Sequence, residues 1–116
     1  MEKIEKETLV KYLTKFINEV HNNAVDHGWH DAYKSFGDFI ALMHTELSES
    51  FEEHRNNRSM VYIVDGKPEG IAVELADCVL RILDWAGLMG VDMASILMMK
   101  HEYNKTRAYK HGGKLL

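Results

Sequence analysis

Apolar residues recur along most of this chain every three or four positions, which is the spacing of an amphipathic α-helix. The pattern predicts four helices, at about 5–27, 35–56, 70–88 and 93–107. Ser35 and Asp92 stand where the second and fourth helices begin and are typical N-cap residues, and Gly28 follows the end of the first helix. The last residues, with Gly112 and Gly113, predict a mobile tail.

The stretch between the second and third helices has a different composition. Residues 60–64 are rich in strand-forming side chains, and Asp65 and Gly66 form a turn signal. We therefore expect a short extended arm or hairpin between two long helices. With a single proline in 116 residues, the chain is predicted to form one all-α domain, a four-helix bundle that carries this arm.

Composition narrows the classes of function. A net charge of −4 gives no general case for nucleic-acid binding. The lone Cys78 cannot form an intramolecular disulfide and lies among apolar neighbours, so we expect a buried thiol. No apolar run reaches the length of a membrane span, and no signal peptide precedes the first helix. These features predict a cytoplasmic protein without a membrane or nucleic-acid partner.

Two pairs of carboxylates interrupt the apolar stripes of the second and third helices. Glu46 and Glu49 form an ExxE pair, and Glu74 and Asp77 form an ExxD pair. Residues three apart share a helix face, so each pair can direct two oxygen ligands to one point. Four acids close together would repel one another and raise their own pKa values, which favours a cation between them. An all-oxygen ligand set suits Mg²⁺ or Mn²⁺.

An antiparallel pairing of the second and third helices would bring these pairs together. The midpoint of their connector is near residue 63 or 64, so the ExxE pair lies about 16 residues before it and the ExxD pair about 12 after it. The mismatch of about four residues is roughly 6 Å of helix, which a connector of this size can absorb. The neighbouring apolar residues Leu47, Phe51, Leu75 and Val79 are expected to pack in the core.

The fourth helix carries a second group of candidate residues. Lys100, Asn104 and Arg107 follow one another at i, i+4 and i+7, so they share a helix face. Such a face can be a solvated helix end that complements the helix dipole. Beside a carboxylate-bound metal, however, two cations and an amide are the groups needed to hold a polyphosphate.

Three further residues have two interpretations each. Glu53 follows Glu49 by four residues and is either a further ligand that orients water or a solvated acid. Arg81 either contacts a ligand or pairs with Asp84. Trp29, in the first connector, is either a platform on which a nucleobase stacks or a core aromatic residue.

These motifs resemble the MazG-like all-α nucleoside triphosphate pyrophosphohydrolases. The resemblance rests on the ExxE pair, the segment Glu74-Leu75-Ala76-Asp77 and the Lys-x-x-x-Asn-x-x-Arg pattern of residues 100–107. Residues 67–71 and 111–114 are similar to the small bacterial and phage-type members. The resemblance covers roughly residues 20–114.

The resemblance implies a bundle that assembles into homodimers or homotetramers. It also implies Mg²⁺-dependent hydrolysis of a nucleoside triphosphate, in the first place a deoxynucleoside triphosphate, between the α and β phosphates. The products are a monophosphate and pyrophosphate, and the role is removal of unwanted nucleotides. Carried over by position, the four paired acids would bind the metal, and Lys100, Asn104 and Arg107 would contact the triphosphate.

The acid that activates the attacking water stays open at this point. Thr45 precedes Glu46 where some members of the family have another acid. Glu49 is the first candidate for the base, and Glu53 is the second. Two other functions also stay open: an enzyme similar to phosphoribosyl-ATP pyrophosphatase, and a non-catalytic helical module that binds a nucleotide or metal and regulates a partner.

Overall fold

The computed structural model describes residues 1–116, and most of them are helical. The helices are α1 (Lys3–Asp26), α2 (Phe36–Arg55), α3 (Ile71–Met89), α4 (Met93–Lys105) and a single turn, α5 (Lys110–Gly113). Two short strands, β1 (Tyr62–Val64) and β2 (Lys67–Glu69), lie between α2 and α3. The four long helices begin and end within two residues of the predicted positions. The tail contains the turn α5, and its mobility stays a prediction.

Local capping explains where the helices begin and end. The Ser35 hydroxyl accepts a hydrogen bond from the Asp38 backbone N–H at 3.1 Å, and the Asp38 carboxylate accepts one from the Ser35 N–H at 2.8 Å. This reciprocal pair satisfies two N–H groups that a helix start would otherwise leave unbonded. The Asp92 side chain caps α4 through the Ser95 N–H, and Gly90 ends α3 in a left-handed conformation.

The predicted arm is a two-stranded antiparallel hairpin. Tyr62 pairs with Glu69, and Asp65 and Gly66 make the turn with positive φ angles, as a tight hairpin turn requires. Gly70 then joins the hairpin to α3 at φ 127°. A Cβ atom at Gly70 would lie 2.4 Å from the Met60 carbonyl oxygen, so only glycine allows this close approach.

α2 and α3 form the predicted antiparallel helical hairpin. The Ser50 hydroxyl donates to the Ile71 carbonyl at 2.8 Å, which ties the late part of α2 to the start of α3. α1 packs across α3, and its closest approach is at Gly87, where a Cβ atom would lie 2.5 Å from that of His21. The core here consists of small and branched side chains: Ile17, Leu83, Ala86 and Ala94. Cys78 is buried in α3, as predicted.

α4 leaves α3 at a bend of 118° and packs on α1. The Lys6 ammonium group binds the Glu102 carboxylate at 2.9 Å across this contact. Taken singly, each helix is too short or too polar to cross a membrane; only α3 and α4 together have the required length and composition, and they are bent relative to each other.

One prediction about the core is wrong. Leu47 and Phe51 on α2 and Leu75 and Val79 on α3 are exposed in the single chain. The reason is that α2 and α3 face each other through Glu46, Ser50 and Glu74, so the apolar residues beside them point outward. The helical hairpin therefore has an uncovered apolar face next to its acidic residues.

Candidate functional site

The two carboxylate pairs converge between α2 and α3, as the helix arithmetic predicted. One carboxylate oxygen each from Glu46, Glu74 and Asp77 lies within 4.8 Å of the other two. Glu46 and Glu74 are buried, with 6% and 8% exposure, and Asp77 is half-buried. Glu49 is exposed and stands outside this group of three, yet its carboxyl group reaches Glu74. We call the four residues the acidic cluster.

Burial and mutual repulsion perturb the acidic cluster strongly. Burial, followed by hydrogen bonds to the Glu49 and Glu46 carboxyl groups, raises the pKa of Glu74 to about 7. Burial and the charge of Glu46 also raise the pKa of Asp77, against the opposing charges of Arg81 and Lys67. The cluster thus holds more negative charge than its surroundings neutralise, and a bound cation would relieve it.

Arg81 supplies the one direct ion pair to the acidic cluster. Its Nε donates to Glu46 Oε1 at 2.8 Å, where Glu46 is nearly fully buried. The alternative pairing with Asp84 does not form, because two histidines occupy that carboxylate. Arg81 therefore lies at the site, as predicted for a ligand-contacting residue, and its guanidinium partly offsets the cluster.

Glu53 lies on the other side of Glu74 and is held by the hairpin. The Tyr62 hydroxyl donates to both Glu53 carboxylate oxygens at 2.9 Å, and this bond raises the pKa of Tyr62. Oxygens of Glu53, Glu69 and Glu74 come within 4.8 Å of one another, so Glu74 belongs to two groups of converging acids. Sequence reasoning missed Tyr62 and Glu69, because it assigned the arm no role.

A cavity of about 600 Å³ adjoins the acidic cluster. Glu46, Asp77 and Arg81 form part of its wall. The rest of the wall comes from α1, the first connector, α2 and α3, and includes the apolar residues Phe16, Val20, Ala24, Trp29, Phe39, Leu42 and Leu80. Trp29 is 60% exposed and lines the cavity, so the interpretation of it as a core aromatic residue is wrong.

Asp84 forms a second polar group in the wall of the cavity. His21 Nδ1 lies 2.9 Å from Asp84 Oδ1, and His30 Nε2 lies 2.8 Å from Oδ1 and 3.0 Å from Oδ2. Sequence reasoning missed this network. The available signal was Asp84 itself, an acid in the apolar part of α3 seven residues after Asp77 and so on the same helix face.

The basic residues predicted to share a face of the fourth helix do not reach the acidic cluster within one chain, and Arg107 lies beyond the end of α4, which stops at Lys105. Lys100, Asn104 and Arg107 are exposed, and none of them lines the cavity or bonds to the four acids. The Lys100 and Arg107 cations lie over the Tyr103 ring instead, at 4.8 and 5.9 Å from its centroid. The role of these residues in binding triphosphate stays a prediction, and it requires a second copy of the chain or a movement of α4.

No protein-family model, curated protein or solved structure matches this chain.

Proposed function

We propose that this protein is a Mg²⁺-dependent nucleoside triphosphate pyrophosphohydrolase with a MazG-like helical bundle. The observation that carries the proposal is the convergence of Glu46, Glu74 and Asp77 at the edge of a large, mostly apolar cavity. Buried carboxylates in this arrangement are costly unless a cation joins them. A cavity beside such a cation can accept the organic part of a substrate whose phosphates bind the metal.

The donor set fits a hard divalent cation. All the converging atoms are carboxylate oxygens, which suits Mg²⁺ and Mn²⁺ and does not favour a thiolate- or imidazole-binding metal. Binding would require Glu74 to release its proton, since its pKa is raised to about 7. Glu46, Glu74 and Asp77 would hold the ion, with Glu49 completing the set from its exposed position.

Two features of the cavity support a nucleoside as its occupant. Trp29 presents an exposed aromatic ring, and base stacking on such rings contributes about 1–3 kcal/mol in other proteins. Arg81 lies between the cavity and the cluster, where the phosphates of a bound nucleotide would begin. A triphosphate in this position would satisfy both the metal and the guanidinium.

In the proposed reaction, the protein positions the reacting groups more than it takes part covalently. The bound metal would neutralise the phosphates and lower the pKa of a coordinated water. Attack of a water on the α-phosphorus would break the bond between that phosphorus and the oxygen bridging the α and β phosphates, with pyrophosphate as the leaving group. Glu49 is exposed beside Glu74 and is the first candidate to accept the water's proton. Glu53, held by Tyr62, is the second.

The proposal includes a homo-oligomer in which one chain completes the site of another. Two observations support it: the exposed apolar residues beside the acidic cluster, and the distance of Lys100 and its neighbours from that cluster within one chain. A second copy of the chain can cover the exposed apolar residues and can bring Lys100 and its neighbours to the phosphates. A cytoplasmic location belongs to the same proposal, since nucleoside triphosphates are found there.

Incubation with Mg²⁺ and a panel of nucleoside triphosphates tests the enzyme. The expected products are a monophosphate and pyrophosphate, and Glu49→Gln should abolish most of the release. Glu52→Gln is the matched control, because Glu52 lies on the same helix and is exposed. Release of orthophosphate would refute scission between the α and β phosphates. Tight binding of a non-hydrolysable analogue without any turnover would favour the regulatory module.

A mixing experiment tests the shared site. Lys100→Ala and Glu74→Gln proteins should each be inactive, and mixing them should restore turnover if the basic face and the acids come from different chains. Equal inactivity of the mixture and its components, with mixed oligomers present, would show that one chain supplies both groups.

A further inference from the structure

The Asp84 carboxylate is held by two histidines on one side and faces the cavity on the other. The cavity wall includes Asp84 but neither His21 nor His30, so the two imidazoles hold the carboxylate from outside the cavity. The three side chains are only 16%, 19% and 11% exposed, respectively. His30 also stacks near Phe39, with ring centroids 6.1 Å apart, which restrains the first connector against α2.

The bonding of this group leaves capacity for a ligand. An ionised carboxylate can only accept hydrogen bonds, so the nitrogens that face it carry protons: Nδ1 in His21 and Nε2 in His30. A carboxylate has about four lone-pair positions, and two imidazole donors leave some of them free. Because Asp84 lines the cavity, a donor inside the cavity can reach the free positions.

Asp84 stands at a suitable distance from the acidic cluster. It follows Asp77 by seven residues, which is two helical turns and about 10 Å along α3. Both carboxylates line the same cavity, and the exposed Trp29 ring lies in its wall. A nucleoside with its phosphates at Asp77 would therefore place the edge of its base near Asp84.

From these observations we infer that Asp84 selects nucleobases that carry an exocyclic amino group. This inference rests on the proposed function, because it assigns the cavity to a nucleotide. Cytosine, adenine and guanine present amino donors, whereas thymine and uracil present carbonyl oxygens that repel a carboxylate. Their single N3–H lies between two such oxygens. A fixed acceptor therefore distinguishes these bases by charge as well as by hydrogen bonding.

Two pairs of deoxynucleoside monophosphates isolate the amino group. dCMP and dUMP differ at position 4 of a pyrimidine, and dGMP and dIMP differ by the 2-amino group of a purine. Calorimetry with Mg²⁺ present, so that the acidic cluster does not repel the phosphate, should show tighter binding of the amino-bearing member, by about tenfold in at least one pair. Equal affinities within both pairs would overturn the inference. The measurement uses the unmodified protein and so does not depend on the folding of a variant.

An amide at position 84 should change the preference in a predictable direction. Asp84→Asn offers an N–H donor to a carbonyl oxygen, so dUMP should gain affinity relative to dCMP. Asp26→Asn is the matched control, since Asp26 is exposed on α1 and lies outside the cavity. A folded Asp84→Asn protein that keeps the original preference would contradict a role for this carboxylate in selection.

The same three side chains could instead bind a transition metal, because their ligand atoms lie within 4.8 Å of one another. In the present geometry, N–H groups of His21 and His30 face the Asp84 carboxylate. Metal binding would require these nitrogens to give up their protons. Titration with Co²⁺ in buffer without EDTA decides between them. A visible absorption band that depends on Asp84 and disappears with competing Zn²⁺, together with loss of dCMP binding, would overturn the inference.

These tests are separable from that of the hydrolase itself. Selective binding of dCMP or dGMP without turnover of any triphosphate would support base selection by Asp84 and refute the hydrolase. Equal turnover of triphosphates with different bases, with no selectivity in binding, would support the enzyme and refute base selection by Asp84.

Discussion

At one side of the cavity, Glu46, Glu74 and Asp77 bring three carboxylate oxygens together with one guanidinium to offset them. Farther along α3, Asp84 stands alone between two imidazole N–H donors. The first group is incompletely neutralised, and the pKa values of Glu74 and Asp77 are raised. The second already has its hydrogen bonds. Similar carboxylates thus stand in opposite environments, because one group keeps excess negative charge and the other is held in place by two histidines.

This difference predicts that removing a carboxylate charge has opposite effects on the stability of the metal-free fold at the two groups. Relief of repulsion in the acidic cluster should help the metal-free fold and harm function. Loss of the Asp84 carboxylate should harm the fold, because it leaves the two histidines without their acceptor.

Glu74→Gln should have the largest effect on activity. The amide is a poor substitute for a carboxylate ligand, so we expect kcat to fall by about a hundredfold or more. In EDTA the same variant should be at least as stable as the unmodified protein at pH 8, since a buried charge is removed. Pyrophosphate release and thermal melts measure the two effects, with Glu52→Gln as the control. Unchanged turnover would remove Glu74 from the metal site.

Asp84→Ala should lower the free energy of unfolding by about 1–3 kcal/mol, because His21 and His30 lose their common acceptor. Urea unfolding in EDTA measures this change. Asp26→Ala should have little effect, since Asp26 is exposed at the end of α1. Equal stability of the two variants would show that the network contributes nothing to the fold.

The stability of the metal-free protein should also respond to pH through Glu74. Its pKa is 4.5 in the reference state and about 7 in the fold, so the folded state binds more protons between these values. The contribution of Glu74 to stability therefore declines as the pH rises from about 4.5 to about 7. Urea midpoints across this range should show the decline, and Glu74→Gln should reduce it. A contribution that increases over this interval would contradict the raised pKa.

Tyr62→Phe should produce the smallest effect of the series. It removes one hydroxyl and its hydrogen bonds to Glu53, which should cost about 0.5–1.5 kcal/mol of stability. If Glu53 positions the water, kcat should fall several-fold while KM changes little. Tyr33→Phe is the control, because Tyr33 is 91% exposed. Identical kinetics in both variants would assign Tyr62 a structural role only.

Local signals account for most of what the sequence predicted. Ser35, Asp92 and the turn at residues 65–66 act through neighbouring atoms, so the helices and the hairpin follow from the residues themselves. The acids converge because α2 and α3 pair in antiparallel fashion across a connector that is long enough to absorb the difference in their positions. Helical periodicity and connector length were therefore enough to predict the acidic cluster.

The errors and omissions share a different cause. In the Asp84 network, His21 precedes Asp84 by 63 positions and His30 precedes it by 54. No local spacing in the sequence indicates such contacts. The apolar stripes correctly indicated helices, yet periodicity does not say which surface covers Leu47 or Phe51. The position of Lys100 depends on the 118° bend between α3 and α4, which a glycine and a cap permit without specifying.

The ion pair between Arg81 and Glu46 has a consequence for the order of binding. A metal that takes Glu46 as a ligand competes with the internal counter-ion on Oε1, so its apparent affinity is reduced by that pair. The displaced guanidinium then becomes free to bind an anion at the cavity. Metal and nucleotide would each favour the other's binding by the same factor, as thermodynamic linkage requires. Charge-neutral Arg81→Gln should therefore tighten Mg²⁺ binding in the absence of nucleotide and weaken this cooperativity, which calorimetry with and without a non-hydrolysable triphosphate can measure.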